Sequence, residues 1–474
     1  MNSTNPLATA AARFGLGPDL SGDWSGPDAR ARVEAQIGVS PATGLSDRLL
    51  SGQENVRRWR TLREAARQQK AQTEAANRAM AGGGAEVAPA VAAPAPAAMA
   101  VMENGAPVRW IKSGDEFRVR VQRALAHKEA LPERLVLFWS DYFTVAQSGK
   151  SVLAPLVGPF EREALRPHVF APFRVLLSKV VTHPAMLIYL DNDRSFGPNS
   201  RTGLKGGHGL NENLAREILE LHTLGSQGGY TQTDVTAFAA VLSGWSMVTN
   251  FKRDTYGACA FEPAHHEPGP KTVLGKTYPD VGGEQLQLVL DDLARHPATA
   301  RHVSTRMCRA FLSEEPPPQL VARMAQAFQR TDGDLGEVVR VMVRSDEAWS
   351  LPPRKVRSPM ELVYVVARLL NAVPNQPPVE QALAAMGQPY FSAPSPKGWP
   401  DEDNAWATAD GIKTRLDWAR SVAGAFHAAI DIRQIADGPL RGVLSDETRT
   451  TLLQAESQEQ ALTLLIMSPE LQRR

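Results

Sequence analysis

Apolar side chains recur at helical spacing through most of this 474-residue chain, whereas the alternation typical of half-buried strands is scarce. A segment at about 248–280 is the exception, because its Gly, Pro and aromatic residues favour short strands or irregular structure. The helical segments lie at about 115–130, 160–190, 209–224, 232–247, 283–295, 297–312, 318–330, 334–346, 358–372 and 412–430. The pattern predicts a mainly α fold, a single large multi-helix globular domain that spans residues 1–474.

A low-complexity tract interrupts this pattern. Gly82, Gly83 and Gly84 lead into a run of Ala, Pro and Val that ends at Val101. The tract has few large apolar side chains to bury, and its prolines oppose helix formation. We therefore predict a disordered, flexible insertion at about 79–107 within the domain.

Composition narrows the class of partner and the cellular compartment. Lys and Arg number 52 against 51 Asp and Glu, so a net charge of +1 gives no general attraction to nucleic acid, and we expect no nucleic-acid partner. No run of eighteen apolar residues and no export signal are visible, so we expect no transmembrane segment and a cytoplasmic location. The two cysteines, Cys259 and Cys308, fit a reducing compartment and exclude a four-cysteine zinc site.

The densest group of polar side chains lies in residues 211–222, which read Asn-Glu-Asn-Leu-Ala-Arg-Glu-Ile-Leu-Glu-Leu-His. One interpretation takes Glu212, Glu217 and Glu220 as acid–base groups or hard-metal ligands held by Arg216. The other takes Glu212, Arg216 and Glu220 as an ion ladder at i,i+4 spacing. On a regular helix His222 points away from these carboxylates, and it is either a functional base or a buried histidine. We expect the polar edge of this helix to face an internal cleft.

Three other groups are candidates for chemistry. Asp191 and Asn192 follow an apolar helix and form either a turn or a metal-binding loop. His266 lies in the irregular segment and is either a site residue or a surface histidine. Lys397-Gly-Trp399-Pro could line a pocket or form a packed turn. The chain contains no P-loop, HExxH or Gly-x-Ser-x-Gly motif, which excludes the enzyme classes that depend on them.

Several blocks of the sequence resemble the bacterial domain of unknown function 1800 family. They are Arg13–Gly17, Leu137–Phe143, His183–Leu187 with Leu190–Asn192, Asn211–Asp234, Lys397–Pro400 and, more weakly, His266–Lys271 with Leu274–Gly275. The resemblance implies a single helical domain and no established activity. In the family a histidine commonly stands where this chain has Tyr142. Family members often carry export signals and are often encoded beside a sulfatase-like family, which makes a sulfatase-like protein a candidate partner.

Two hypotheses about function follow. In the first, the protein is an enzyme for hydrolytic or metal-assisted chemistry, and one pocket gathers its polar residues. The candidate catalytic residues are Asp191, Asn192, Glu212, Arg216, Glu217, Glu220, His222 and His266. In the second, the protein is a non-catalytic helical binding or assistance protein, and these groups form a polar network that fixes the fold. The cofactor, the metal content and the substrate are left open.

Overall fold

The computed structural model describes residues 6–17, 28–41, 49–82, 102–103, 106–126, 130–207, 209–373, 378–438 and 440–474. Helices dominate these residues, which confirms the predicted fold class. None of the described helices is long and apolar enough to cross a lipid bilayer.

The α-helices are α1 (Pro6–Thr9), α2 (Ala29–Glu34), α3 (Gly52–Gly82), α4 (Ser113–Ala126), α5 (Ala130–Tyr142), α6 (Val157–Phe160), α7 (Phe173–Val181), α8 (Pro184–Tyr189), α9 (Asn213–Glu217), α10 (Gln232–Leu242), α11 (Glu284–Arg295), α12 (Pro297–Phe311), α13 (Pro318–Arg330), α14 (Leu335–Arg344), α15 (Glu347–Ser350), α16 (Pro359–Leu370), α17 (Val379–Ala385), α18 (Ala409–Phe426), α19 (Ile432–Asp437), α20 (Asp446–Leu453), α21 (Gln458–Met467) and α22 (Pro469–Gln472).

Strands in the described residues form three short antiparallel hairpins. Strands β1 (Met102–Glu103) and β2 (Ala106–Pro107) make the first. Strands β3 (Trp245–Met247) and β4 (Cys259–Phe261) pair so that Ser246 lies opposite Ala260. Strands β5 (Lys271–Val273) and β6 (Lys276–Tyr278) make the third. Four of these six strands lie within or at the edge of the 248–280 segment, where the sequence predicted short strands.

Helix starts follow the signals that the sequence carries. Asp334 accepts the Glu337 backbone N–H at 2.9 Å and so caps α14. Ser358 and Glu361 form a reciprocal capping box at the start of α16, and Pro359 takes the first helical position, where its missing N–H costs nothing. These local rules explain why α14 and α16 lie close to their predicted ranges.

Three predicted boundaries were wrong. The helix expected at 232–247 ends at Leu242, because Gly244 adopts a φ of 90° and the chain then enters β3. The helical stretch expected at 160–190 is broken into short pieces, since Pro167, Pro172 and Pro184 each lack a backbone donor. The ends of the 79–107 insertion are ordered as α3 and the β1–β2 hairpin. Residues 83–101 lie outside the described residues, so their predicted disorder stays a prediction.

The densest polar run does not form one regular helix. Glu212 precedes α9, which gives way after Glu217 to a π-helical turn over Ile218–Thr223. A π-turn places i,i+5 residues together, so the angular positions expected for a regular helix do not hold beyond residue 217. This local change of period separates Glu220 from the Glu212–Arg216 row.

Buried apolar side chains form two clusters. The first draws on α5, α7, α8 and α10 to α14, and includes Trp139 and Phe311. The second draws on α4, α16 and the helices from α17 onward, and includes Phe117 and Trp418. Helix α5 and the segment before α16 lie where the two clusters meet, and this junction positions the site described next. The assignment of the whole chain to a single domain stays a prediction.

Candidate functional site

Glu212 and Arg216 belong to a partly exposed network rather than to a cavity. The Glu212 carboxylate accepts hydrogen bonds from Arg216 at 3.1 Å, from Gln232 at 2.7 Å and from Thr236 at 2.6 Å. The hydroxyl of Thr236 and the amide of Gln232 hold the pKa of Glu212 below its usual value. The Arg216 side chain is 42% exposed. This network joins the start of α9 to the first turn of α10.

Glu217 and Glu220 follow on the same surface. The hydroxyl of Tyr230 donates to Glu220 at 3.2 Å. Glu217 is half-buried, and burial together with the neighbouring Glu220 charge raises its pKa. The expected ladder is therefore present between Glu212 and Arg216, whereas Glu220 pairs with a tyrosine.

His222 lies in the π-helical turn and is completely buried. Its ring packs 5.0 Å from the ring of Phe143, and neither ring nitrogen has a hydrogen-bond partner in the described part of the chain. Burial and the nearby His302 lower its pKa to about 3, so the imidazole is neutral. Tyr142 donates its hydroxyl to the His222 carbonyl at 3.1 Å. His222 is thus a core side chain in this geometry.

Asn192 and His266 act together at the end of α10. The Asn192 amide donates to the carbonyls of Leu242 at 3.1 Å and Trp245 at 2.8 Å. The Nδ1 atom of His266 lies 2.8 Å from the carbonyl of Ser243. Both side chains therefore bind carbonyl groups that a helix end leaves free. Asp191 lies nearby in a left-handed turn, but its carboxylate pairs with Lys150 at 2.8 Å.

The eight candidates thus fall into separate groups, and none of them lines the two cavities compared in the described residues. The described residues also hold no cluster of three or more His, Cys, Asp or Glu side chains suited to bind a metal ion. Their catalytic role stays a prediction.

A different cavity, of about 140 Å³, opens at the junction of the two apolar clusters. We call it the Asp141 cavity. Its charged lining consists of Arg120, Arg134, Asp141, Glu161, Arg306, Lys355, Glu361, Asp401 and Arg474. Its aromatic lining consists of Phe138, Phe160, Phe391, Trp399 and Trp406. A cavity of this size holds a small molecule or one functional group of a larger one, since typical ligand pockets reach about 300–1,000 Å³.

Helix α5 supplies one wall of the Asp141 cavity through a single stripe. Arg134, Leu137, Phe138 and Asp141 all line it, and their i, i+3, i+4, i+7 spacing places them on the same helix face. Trp139, Tyr142 and Phe143 do not line the cavity and instead fill the first apolar cluster. The stripe places the Asp141 carboxyl group in the cavity wall.

The Lys397–Pro400 turn closes the cavity over Asp141. The backbone N–H of Trp399 donates to Asp141 Oδ1 at 2.8 Å. Gly398 has a φ of 89°, and a Cβ atom there would come within 2.7 Å of Asp141 Oδ1. Only glycine combines this conformation with so close an approach. The Trp399 and Trp406 rings lie 6.1 Å apart in the cavity wall.

Among the carboxyl groups that line the cavity, Asp141 has the longest distance to its nearest cation. Its Oδ2 atom lies 3.9 Å from Arg306, and no other described cation comes as close. Burial outweighs the Trp399 hydrogen bond and the Arg306 charge, so the pKa of Asp141 rises to about 7. Near neutral pH this carboxyl group exchanges between its protonated and ionised forms.

Glu361 lies in the same wall, but there the neighbouring arginines outweigh burial in setting the pKa. Burial alone would raise its pKa, but Arg134 at 2.6 Å and Arg474 at 2.9 Å lower it to about 2. Glu161 likewise binds Arg120 at 2.9 Å and Arg166 at 3.0 Å. The paired arginines lower the pKa of both glutamates, and these ion pairs hold the wall together.

Arg306 and Lys355 line the cavity beside Asp401. Arg306 lies 3.4 Å from the carboxylate of Asp401, and Lys355 donates to the carbonyl of the same residue at 2.8 Å. Lys355 is buried, and burial followed by the Arg474 charge lowers its pKa. Both cations therefore contact Asp401 in the cavity wall.

Fold and site together define a helical protein with a charged, partly open cavity at the junction of two apolar clusters. The chain belongs to the DUF1800 family, a family of proteins of unknown function, whose model matches residues 10–473. No curated protein and no solved structure matches it. Two of the sequence blocks that carried the family resemblance, Leu137–Phe143 and Lys397–Pro400, contact each other at Asp141.

Proposed function

We propose that this protein is an enzyme, that the Asp141 cavity is its active site, and that Asp141 is the general acid or base. The proposal rests on one observation, which is that no described cation lies close enough to the Asp141 carboxyl group to form a short ion pair. Asp141 faces a cavity with only a 3.9 Å approach from Arg306, whereas Glu361 and Glu161 are each bound by two arginines.

This arrangement suits proton transfer. A group that gives and takes a proton at neutral pH works best when its pKa lies near that pH. Separation of the pKa values of neighbouring carboxyl groups, as between Asp141 and Glu361, is characteristic of acid–base sites. The Trp399 N–H fixes Oδ1, so Oδ2 is the atom left to exchange a proton with a substrate. Hydrolysis is the reaction class that such a site serves most directly.

The alternative is a non-catalytic binding or assistance protein in which the same cavity holds a ligand without converting it. Partnership with a sulfatase-like protein belongs to this alternative and rests on family association alone. A cytoplasmic location is also a proposal, supported by Cys259 and Cys308, which are both free thiols.

The test is a comparison of matched variants on chromogenic esters, phosphate esters, sulfate esters and glycosides. Asp141→Asn keeps the size and the Trp399 hydrogen bond but removes the exchangeable proton. We expect it to lower kcat/KM on any substrate the wild type turns over by about 10²–10⁴-fold. The control is Asp191→Asn, since Asp191 is 26% exposed against 28% for Asp141 but lies outside the cavity.

The pH profile provides a second readout. Wild-type kcat/KM should change near pH 7, where Asp141 titrates, and the residual activity of Asp141→Asn should lack that transition. Turnover by Asp141→Asn at the wild-type rate, with an unchanged pH profile, would overturn the proposal. An equal loss of turnover in Asp191→Asn would instead favour a site made of the candidate catalytic residues between Asp191 and His266.

A further inference from the structure

The lining of the Asp141 cavity has more positive than negative charge. Five cationic and four acidic side chains line it. Arg120 is matched by Glu161, and Arg134 and Arg474 share the single charge of Glu361. Asp141 is only weakly paired with Arg306. Arg306 lies 3.4 Å from Asp401 and 3.9 Å from Asp141, so Lys355 and one of the two arginines at Glu361 are the lining cations without a carboxylate of their own.

Lys355 is a cation of the cavity lining that lacks a carboxylate partner among the described residues. Its side chain is buried at 4% exposure, and no described carboxylate lies within ion-pairing distance of its ammonium group. Its hydrogen-bond partner is the carbonyl of Asp401 at 2.8 Å. A buried charge without a counter-charge is costly, so a negative group placed beside Lys355 would be bound favourably.

Arg306 lines the same cavity, and its buried Nε atom has no hydrogen-bond partner in the described part of the chain. It is 13% exposed and lies at 3.4 Å from the Asp401 carboxylate, a distance that leaves its donors partly available. A guanidinium and an ammonium group together match an oxyanion, because the first binds two oxygens in a plane and the second acts as a point charge.

From this charge distribution we infer that the cavity binds a small oxyanion, a carboxylate, phosphate or sulfate group, through Lys355 and Arg306. The inference rests on the proposed function only in that it names the substrate class of the same site. The aromatic walls of Trp399 and Trp406 would contact the uncharged part of the molecule that bears this group.

The experiment measures binding of acetate, phosphate and sulfate to the full-length protein by calorimetry, at constant ionic strength with chloride as the reference anion. We expect saturable one-site binding of at least one of the three, and the best of them identifies the oxyanion. Lys355→Met should weaken it about tenfold or more, because a charge-assisted hydrogen bond is lost. Lys276→Met is the control, since Lys276 is 62% exposed and pairs with Asp292 outside the cavity.

Two additional variants separate the possible failures. Lys355→Arg keeps the charge and should retain binding, which guards against misfolding of Lys355→Met. Asp141→Asn should bind the anion at least as tightly as wild type, because it removes a competing negative charge. Loss of turnover in Asp141→Asn without any saturable anion binding to wild type would overturn this inference alone. Binding equal in Lys355→Met and wild type would also overturn it.

Discussion

Replacing Asp141 with asparagine should stabilise the protein, and the gain should grow with pH. Folding raises the pKa of this carboxyl group from 3.8 to about 7. Between these values the folded chain holds a proton that the unfolded chain has lost, so the free energy of unfolding falls as pH rises. At about 1.4 kcal/mol for each pH unit, the full penalty above pH 7 is about 4 kcal/mol.

Asparagine carries no such penalty and still accepts the Trp399 N–H. Asp141→Asn should therefore exceed wild type by about 4 kcal/mol at pH 8.5 and by about 1 kcal/mol at pH 4.5. Urea unfolding curves at these two pH values, followed by circular dichroism, measure the difference. Asp191→Asn is the control and should not be more stable than wild type at pH 8.5, because its carboxylate is paired with Lys150.

A gain that is the same at both pH values would refute the argument, since it would mean that Asp141 titrates alike in the folded and unfolded chain. A loss of stability at pH 8.5 would show that the ionised carboxylate is favourably bound by Arg306. In either case Asp141 would no longer be suited to proton exchange near neutral pH.

Two further predictions concern the residues that the sequence singled out. Because the pKa of His222 is lowered from 6.5 to about 3, the unfolded state gains a proton that the folded state does not bind, and stability falls as pH drops below 6.5. Between pH 7.5 and pH 5 wild type should lose about 2 kcal/mol that His222→Leu does not lose, as measured by urea unfolding; parallel losses would contradict a buried neutral imidazole. Arg216→Ala should cost less than about 1 kcal/mol in the same assay, because the side chain is 42% exposed and Gln232 and Thr236 still bind Glu212; a loss of several kcal/mol would mean a buried network.

The elements that local chemistry determines could be predicted from the sequence. The helices predicted at 334–346 and 358–372 begin at the capping residues Asp334 and Ser358, and the segment at about 248–280 was predicted to form short strands or irregular structure. The π-helical turn at Ile218–Thr223 could not be predicted, because its apolar residues fit a regular helix as well. Because of that turn, the side-chain directions expected for Glu220 and His222 on a regular helix do not hold in the folded chain.

The cavity required information that no local pattern contains. The partners of Asp141 come from α12 and from the Lys397–Pro400 turn, and their convergence depends on packing of the whole chain. One signal was present: Arg134 and Asp141 lie seven residues apart in an apolar helix, which places two charges on one face. The Lys397–Pro400 block did suggest an indole at a pocket, and Trp399 does line the cavity, whereas Lys397 does not.

The separation of Asp141 from Trp399 along the chain affects how the protein is made. The two residues are 258 positions apart. A ribosome that adds about 5–20 residues each second needs on the order of 10–50 s to pass from one to the other. Until the Trp399 segment is made, its N–H cannot bind the Asp141 carboxyl group, and an aspartate in contact with water is ionised at neutral pH. Folding then raises the pKa of this group to about 7, so at neutral pH a fraction of the chains take up a proton from solution.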